Sequence, residues 1–371
     1  MIPKYPGKFI TLEGIDGCGK TTQAELLENF LREKGYDVLR SREPGGDPYS
    51  ELLRKVLKFK DERDQITGVE DTKVSKRAEL FSFLAARANY IDYILKPALE
   101  TEDKIVISDR FIDSTYAYQG YGNRHNLRLI TIANRYATEG LRPDITFLID
   151  IDPEKGLENV KGKKDTFELR GPSYIKDVRN GYLKLQRLDP QRIKLIPYLP
   201  GNPEKMHELI REHAIDVLST IRDFRFYFAV KIFGKSLEDP TRKSAKRIVS
   251  SLKNFGRVLS EQFTRDDAYE YDGREEKLGV NVFERDMAWI EQSDAFCCDY
   301  GKSPSTGIGR EMQYAHDLGM PRICFYNEEI VKHPDDFSRA LAHDKELMFV
   351  PYTFGNIEDK VKSTIEKILK S

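Results

Sequence analysis

The sequence predicts an α/β protein of two domains, residues 1–220 and 221–371, each built on a parallel sheet flanked by helices. Three observations carry this expectation. The chain has 371 residues, too long for one ordinary core and comfortable for two. Apolar strand-like runs alternate with longer segments of helical period, the pattern of a parallel sheet covered by helices. The rhythm then restarts near residue 221, after the helix-like EKMHELIREHAIDVLSTI.

Taken in order, FITLE opens the first half as a strand, and TTQAELLENFLREKG follows as a helix with Ala24, Leu27 and Leu31 on one face. VLRSRE, KIVISD, ITFLIDI and IKLIPYL supply the remaining strands. After the first of these, KFKDERDQITGVEDTKVSKR at 58–77 reads as an exposed polar connection. In the second half the strands are FRFYFAV, GRVLS, DAFCCDY, RICFY and LMFVPY, with helices near 243–254, 283–293, 308–318 and 357–370. Phe283, Met287 and Ile290 mark the expected buried face of the helix near 283–293.

Sixty Lys and Arg against sixty-one Asp and Glu leave a formal net charge of -1. Whole-chain charge therefore gives no case for a nucleic acid or an anionic membrane as partner. No apolar run reaches the roughly 20 residues that a membrane helix needs, and MIPKYPGKFITLEG lacks a signal-peptide stretch. A cytoplasmic protein acting on small anionic molecules is expected. Cys18, Cys297, Cys298 and Cys324 form no CxxC pair and have no histidine at metal spacing, which predicts buried reduced thiols.

GIDGCGKTT, Gly14 to Thr22, fits GxxxxGK[ST] between an apolar strand and an amphipathic helix, the context that a phosphate loop requires. Gly14, Gly17 and Gly19 let backbone amides wrap phosphate oxygens, and the helix N-terminus at Thr21 and Thr22 adds favourable dipole charge. Lys20 is expected to reach the β- and γ-phosphates of ATP, and Thr21 to help hold Mg²⁺. Further along come REPGG at 42–46, AELFSFLAAR at 78–87, SDRF at 108–111 and STYAYQG at 114–120. With the phosphate loop, these ordered motifs resemble the thymidylate kinase family over roughly residues 8–218.

That resemblance implies a P-loop NTPase-type sheet and phosphoryl transfer from ATP to dTMP. It places Phe83 against the thymine ring, Arg87 at its carbonyl edge, Thr115 and Gln119 near the base, and Tyr118 against the deoxyribose. Arg42 and Arg110 become the monophosphate clamp, and Asp16 and Asp109 orient Mg²⁺ or its waters. One departure stands out. Where family members with REPGG carry two lid arginines, this chain has VKGKKDTFELRGPSY, so that Lys161 and Thr166 take their places. Lys163, Lys164 or Arg170 offer substitute charge, although lysine lacks the planar guanidinium fork. KGKK also reads as a solvated charged loop.

The second half has no phosphate loop. VFERDMAWIEQSDAFCCDY puts Asp286 on a helix-like segment, and PSTGIGREM reads as a turn opening a helix, with Glu311 in its first turn and amides able to meet an anion. Each feature alone is ordinary helix-start and turn chemistry. Together with YFA and GMPRICFY they resemble the nucleoside 2-deoxyribosyltransferase family, in particular its 2′-deoxynucleoside 5′-phosphate N-hydrolase branch, from about Tyr227 to Tyr326. The resemblance implies a smaller Rossmann-like or flavodoxin-like domain in which Glu311 attacks C1′ of a deoxynucleoside monophosphate. Asp286 assists the leaving base or orients Glu311, and Tyr227 hydrogen bonds to Glu311. Ser305, Gly307 and Gly309 take the 5′-phosphate, with Ser338 from a neighbouring subunit. Here too the chain departs: VKIFGK puts Val230 and Phe233 where the family has a glycine and an arginine. A catalytically inactive nucleotide-sensing or dimerising domain, and a deoxyribosyltransferase, remain open alternatives. Both resemblances imply a homodimer or higher homo-oligomer.

Overall fold

The computed structural model describes residues 5–101, 103–160, 165–218, 224–230, 240–260, 282–300, 306–331 and 346–370. The chain divides into two compact units, residues 2–221 and 222–371, and both are α/β.

In the first unit β1 (Lys8–Glu13), β2 (Asp37–Arg42), β3 (Lys104–Asp109), β4 (Ile145–Asp150) and β5 (Ile193–Pro197) form one parallel sheet in the order β2-β3-β1-β4-β5. Strand side chains alternate between faces. Ile10, Leu12, Ile107 and Ile149 pack with Leu27 and Leu31 of helix Lys20–Glu33, while Phe9 and Val106 pack with Tyr90, Leu95 and Phe111. A sheet buried on both faces explains why its strands read as nearly continuous apolar runs. Helix Pro48–Lys58 begins on an Asp47 carboxylate that accepts from the amides of Tyr49 and Ser50, and helix Lys76–Tyr90 begins on Ser75.

Residues 58–77 are not a plain connection. Helix Lys60–Thr67 lies within them, and Arg63 is buried, donating to the carbonyls of Thr72 and Val56. Polar sequence conceals this because the cation is satisfied by backbone carbonyls instead of water.

The second unit repeats the architecture with β6 (Phe224–Ala229), β7 (Gly256–Val258), β8 (Ala295–Asp299), β9 (Arg322–Asn327) and β10 (Leu347–Tyr352), all parallel, in the order β10-β9-β8-β6-β7. Phe226, Phe228, Cys297, Ile323 and Phe325 pack with Ile248 and Val249 of helix Pro240–Leu252 and with Val361 and Ile365 of helix Ile357–Lys370. The intervening residues carry Tyr227 and Phe296, whose rings stack at 5.7 Å. Asp299 is buried and accepts from Ser244 at 2.7 Å and from Tyr352 at 3.0 Å, tying one helix and the edge strand β10, across β9, to β8. All four cysteines are buried and unpaired.

The expected buried face of helix Val282–Glu291 is corrected. Ile290 is buried, but Phe283 is 59% exposed and Arg285 is buried in its stead. The Arg285 guanidinium lies over the Trp289 ring at 4.6 Å and donates to Asp286 at 2.8 Å. Charge pairing and stacking override an apolar stripe of only three residues.

Candidate active sites

The phosphate loop of the first unit runs from β1 into helix Lys20–Glu33. Its glycines are required by geometry at two points. Gly14 has φ of +140° and Gly17 has +77°, and a Cβ there would sit 2.5 Å from the Ile149 carbonyl oxygen and 2.1 Å from that of Gly156. Gly19 is the left-handed residue just before the helix, whose first turn holds Lys20, Thr21 and Thr22. Lys20 lies across the loop, donating to the carbonyls of Ile15 at 3.0 Å and Gly14 at 3.2 Å. Thr21 donates to Asp109 at 3.0 Å. A hydroxyl and a carboxylate so placed are hard oxygen ligands of the kind that Mg²⁺ prefers.

Beside the loop lies a pocket lined by Asp16, Glu43, Lys58, Phe83, Arg87, Arg110, Thr115, Tyr118, Gln119 and Phe167, among others. Arg110 organises its polar end. It adopts φ of +77°, a strained backbone for a non-glycine residue. Its guanidinium donates to Asp16 at 2.6 Å, to the Gly14 carbonyl at 3.0 Å and to the hydroxyls of Tyr118 and Tyr182 at 3.1 Å. Burial alone would raise the Asp16 pKa, but Arg110, Lys20 and Lys58 outweigh it and hold the carboxyl well below the usual range. The opposite balance holds at Glu13, where burial and neighbouring Asp113 push the carboxyl up.

The other end is built from helix Lys76–Tyr90 and the π-helical stretch Tyr116–Gly122, a geometry frequent at functional sites. Arg87 is buried, and all five of its N–H groups are engaged: two by Glu43, the others by Thr115, Asn134 and the Phe111 carbonyl. With Arg87 donating to it, the Thr115 hydroxyl keeps its own proton for a ligand acceptor. Gln119, which also lines the pocket, donates its amide to Glu79 at 2.9 Å and so keeps its side-chain oxygen as an acceptor.

Arg42 does not line this pocket; its guanidinium is held by Glu51 at 3.0 Å. Arg170 pairs with Glu79 and donates to Asn123 at 2.9 Å. Lys161, Lys163 and Lys164 lie outside the described residues. Sequence reasoning missed Glu43, Lys58 and Phe167. Phe167 packs on Phe83 and Tyr118 with ring centroids 5.8 Å away from each. It also missed Asp165 and Glu168, whose carboxylate oxygens come within 4.8 Å of each other and of Asp16, the one such triad among the described residues.

In the second unit Tyr227, Asp286 and Glu311 converge. Tyr227 is buried and hydrogen bonds to Glu311. Burial and the Asp286 charge push the Glu311 carboxyl up to about 8, while Tyr227 and Arg285 pull it down. Helix Thr306–Asp317 starts earlier than expected, so Glu311 falls in its second turn, with Gly307 and Gly309 inside its first. A Cβ on Gly309 would meet nothing within 4 Å. Ser305 and Ser338, with Phe233, lie outside the described residues.

The first fold and site define a nucleotide-binding α/β protein of the phosphate-loop class. A family model described as thymidylate kinase matches residues 12–210, more than half of the chain. The thymidylate kinase of Geotalea daltonii is 41% identical over 199 residues, 51% of this chain and 88% of that protein. That of Caldanaerobacter subterraneus is 42% identical over 212 residues, 57% of this chain and 93% of its own. A crystal structure of thymidylate kinase from Ehrlichia chaffeensis aligns at 33% identity with a TM-score of 0.45, over 56% of this chain and 98% of that one. The chain belongs to the thymidylate kinase family, whose phosphate donor is ATP used with Mg²⁺.

Proposed function

We propose that the protein is a bifunctional enzyme of deoxynucleotide metabolism. Residues 1–220 form a thymidylate kinase domain that phosphorylates dTMP to dTDP with ATP. Residues 221–371 form a domain that hydrolyses the N-glycosidic bond of a 2′-deoxynucleoside 5′-monophosphate.

One observation carries the kinase assignment. The pocket of Phe83, Arg87, Thr115, Tyr118 and Gln119 opens beside Asp16, Arg110 and the phosphate loop, so one ligand spans an aromatic base slot and a cationic end. Thr115 presents a donor and Gln119 an acceptor, which matches the carbonyl and N–H of thymine. Tyr118 packs where a deoxyribose lies. Arg110, and Arg42 once it leaves Glu51, clamp the monophosphate. Lys20 and the amides of Gly14, Gly17, Gly19, Thr21 and Thr22 hold the ATP phosphates, and Arg170 stays with the lid turn. Thr21 and Asp109 would hold Mg²⁺, which supplies neutralising charge for the spreading negative charge of transfer. Catalysis is then mostly positioning. ADP formation with dTMP tests this; wild-type turnover that survives Lys20→Ala would sink it.

For the second unit the carrying observation is Glu311, a carboxyl hydrogen bonded by buried Tyr227 and influenced by Asp286. The strand order β10-β9-β8-β6-β7 is flavodoxin-type, and Tyr227 on β6 with the helix after β8 flank the switch point where such folds bind ligands. In the ionised form Glu311 attacks C1′; the bond to the base breaks with assistance from Asp286, and water then cleaves the sugar ester. Gly307 and Gly309, with Ser305 and a partner copy's Ser338, would receive the 5′-phosphate in a homodimer. Free base released from a panel of deoxynucleoside monophosphates, by wild type and by Glu311→Ala, is the test. No base from any of them leaves the binding or sensing alternative.

A further inference from the structure

Lys58 has no part in the motifs that define the first site, yet the structure ties it to the pocket wall. It ends helix Pro48–Lys58, and its side chain is only 15% exposed. Its ammonium meets the buried Asp165 carboxylate at 2.8 Å. Its backbone carbonyl accepts from both the amide and the hydroxyl of Thr166, each at 2.9 Å. Thus three bonds from one residue hold a segment more than a hundred positions away.

That segment is itself tightly folded. Asp165 accepts from the amides of Phe167 and Glu168, and Glu168 reaches back to the Asp165 amide at 2.8 Å, a reciprocal capping box. Gripping Asp165 therefore orients the whole turn, including Phe167 against Phe83 and Tyr118. Lys58 also stands among three carboxylates, those of Asp16, Asp165 and Glu168, and its charge lowers the proton affinity of both Asp16 and Glu168. Withdrawing it would leave a buried cluster of like charge facing an incoming phosphate.

We propose that Lys58 is a positioning residue for the acceptor nucleotide, latching the turn 165–168 onto the end of helix Pro48–Lys58 and so setting the affinity of the pocket. The Lys58 ammonium supplies from helix Pro48–Lys58 a positive charge that Thr166 does not supply from the turn. This rests on the reading of the pocket as the dTMP site.

The test compares wild type with Lys58→Met, which keeps the apolar stem, and Lys58→Arg, which keeps the charge. Steady-state ADP formation should show KM for dTMP raised about tenfold in Lys58→Met, kcat lowered less, KM for ATP unchanged, and recovery to within about threefold in Lys58→Arg. Hydrogen exchange at the amides of Phe167 and Glu168 should be faster in Lys58→Met and near wild type in Lys58→Arg. An unchanged KM for dTMP, or equal losses in the two variants, overturns the positioning role. Should wild type form no ADP with dTMP, the kinase reading fails instead, while unchanged exchange in Lys58→Met would by itself overturn the latch.

Discussion

The two units place a carboxylate at the mouth of a parallel sheet and then treat it in opposite ways. In the first, Asp16 is half-buried, but Arg110, Lys20 and Lys58 surround it and keep it ionised. In the second, Glu311 is half-buried beside another carboxylate, Asp286, with Arg285 opposing them, and its pKa rises to about 8. The contrast fits what the two proposed chemistries would each demand. Phosphoryl transfer needs fixed charges that do not change protonation while charge spreads over the phosphate oxygens. Attack on a sugar carbon needs a carboxylate that a neighbouring acid can work with, which favours a pair of carboxyls whose proton affinities are pushed apart.

The largest effects come from removing each chemistry separately. Lys20→Ala is expected to lower ADP formation with dTMP by at least about 10³-fold, the scale on which a preorganised charge acts. Glu311→Ala is expected to lower base release by a similar factor or more. Assaying ADP and free base in the same reaction decides whether the units carry different activities. Loss of both in either variant would mean that the distinction between them is false.

A stability measurement asks whether every buried ion cluster in the first unit serves the site. Arg192 is buried and pairs with Asp113 at 2.7 Å and Asp189 at 2.7 Å, also donating to Thr146 at 2.8 Å. It does not line the pocket. Arg192→Met would leave two buried carboxylates without their cation and is expected to destabilise this unit by about 3–5 kcal/mol. Urea unfolding followed by circular dichroism checks this, and a change below about 1 kcal/mol would contradict a structural role.

The proton balance predicts different pH profiles. With a pKa of about 8, Glu311 is only about a tenth ionised at pH 7. If its carboxylate is the nucleophile, base release should rise about tenfold from pH 6 to pH 7 and level off above pH 8. Asp16, held ionised far below neutrality, should give ADP formation no such rise from this group. The stability sign is fixed too. The folded state binds the Glu311 proton more tightly than the unfolded chain, so this contribution to stability is present below the ordinary carboxylate range and is lost as pH rises through about 8. A flat base-release profile between pH 6 and pH 8 would remove Glu311 from the nucleophile's role.

The units also differ in how much of them the sequence discloses. Gly14 to Thr22 is contiguous, and its strand, turn and helix constrain one another locally, so the loop was legible. Lys58 and Asp165 are 107 positions apart, each polar within a polar stretch, and no short-range pattern links them. In the second unit the alternation of strands and helices was plain, yet Phe283 and Arg285 exchanged places, because a guanidinium stacked on Trp289 and paired with Asp286 can be buried at a position that hydropathy assigns to the surface. Reading Glu311 one turn too early had a similar cause: two glycines suggested a turn where the helix had already begun.

Gly309 offers the smallest effect and the finest discrimination. Its backbone is helical, its φ lies outside the glycine-favoured region, and a Cβ there would meet open space. Packing therefore gives no reason for glycine, which weakens a helix by roughly 1 kcal/mol relative to alanine. Gly309→Ala should stabilise the second unit by several tenths of a kcal/mol. If a phosphate approaches the Gly309 amide closely, the same change should raise KM for the deoxynucleoside monophosphate several-fold with kcat little altered. A stabilised variant with an unchanged KM would mean that no ligand comes near this turn. The carboxyls of the second unit would then have to be assigned without a phosphate-binding partner, unlike those beside the loop of the first.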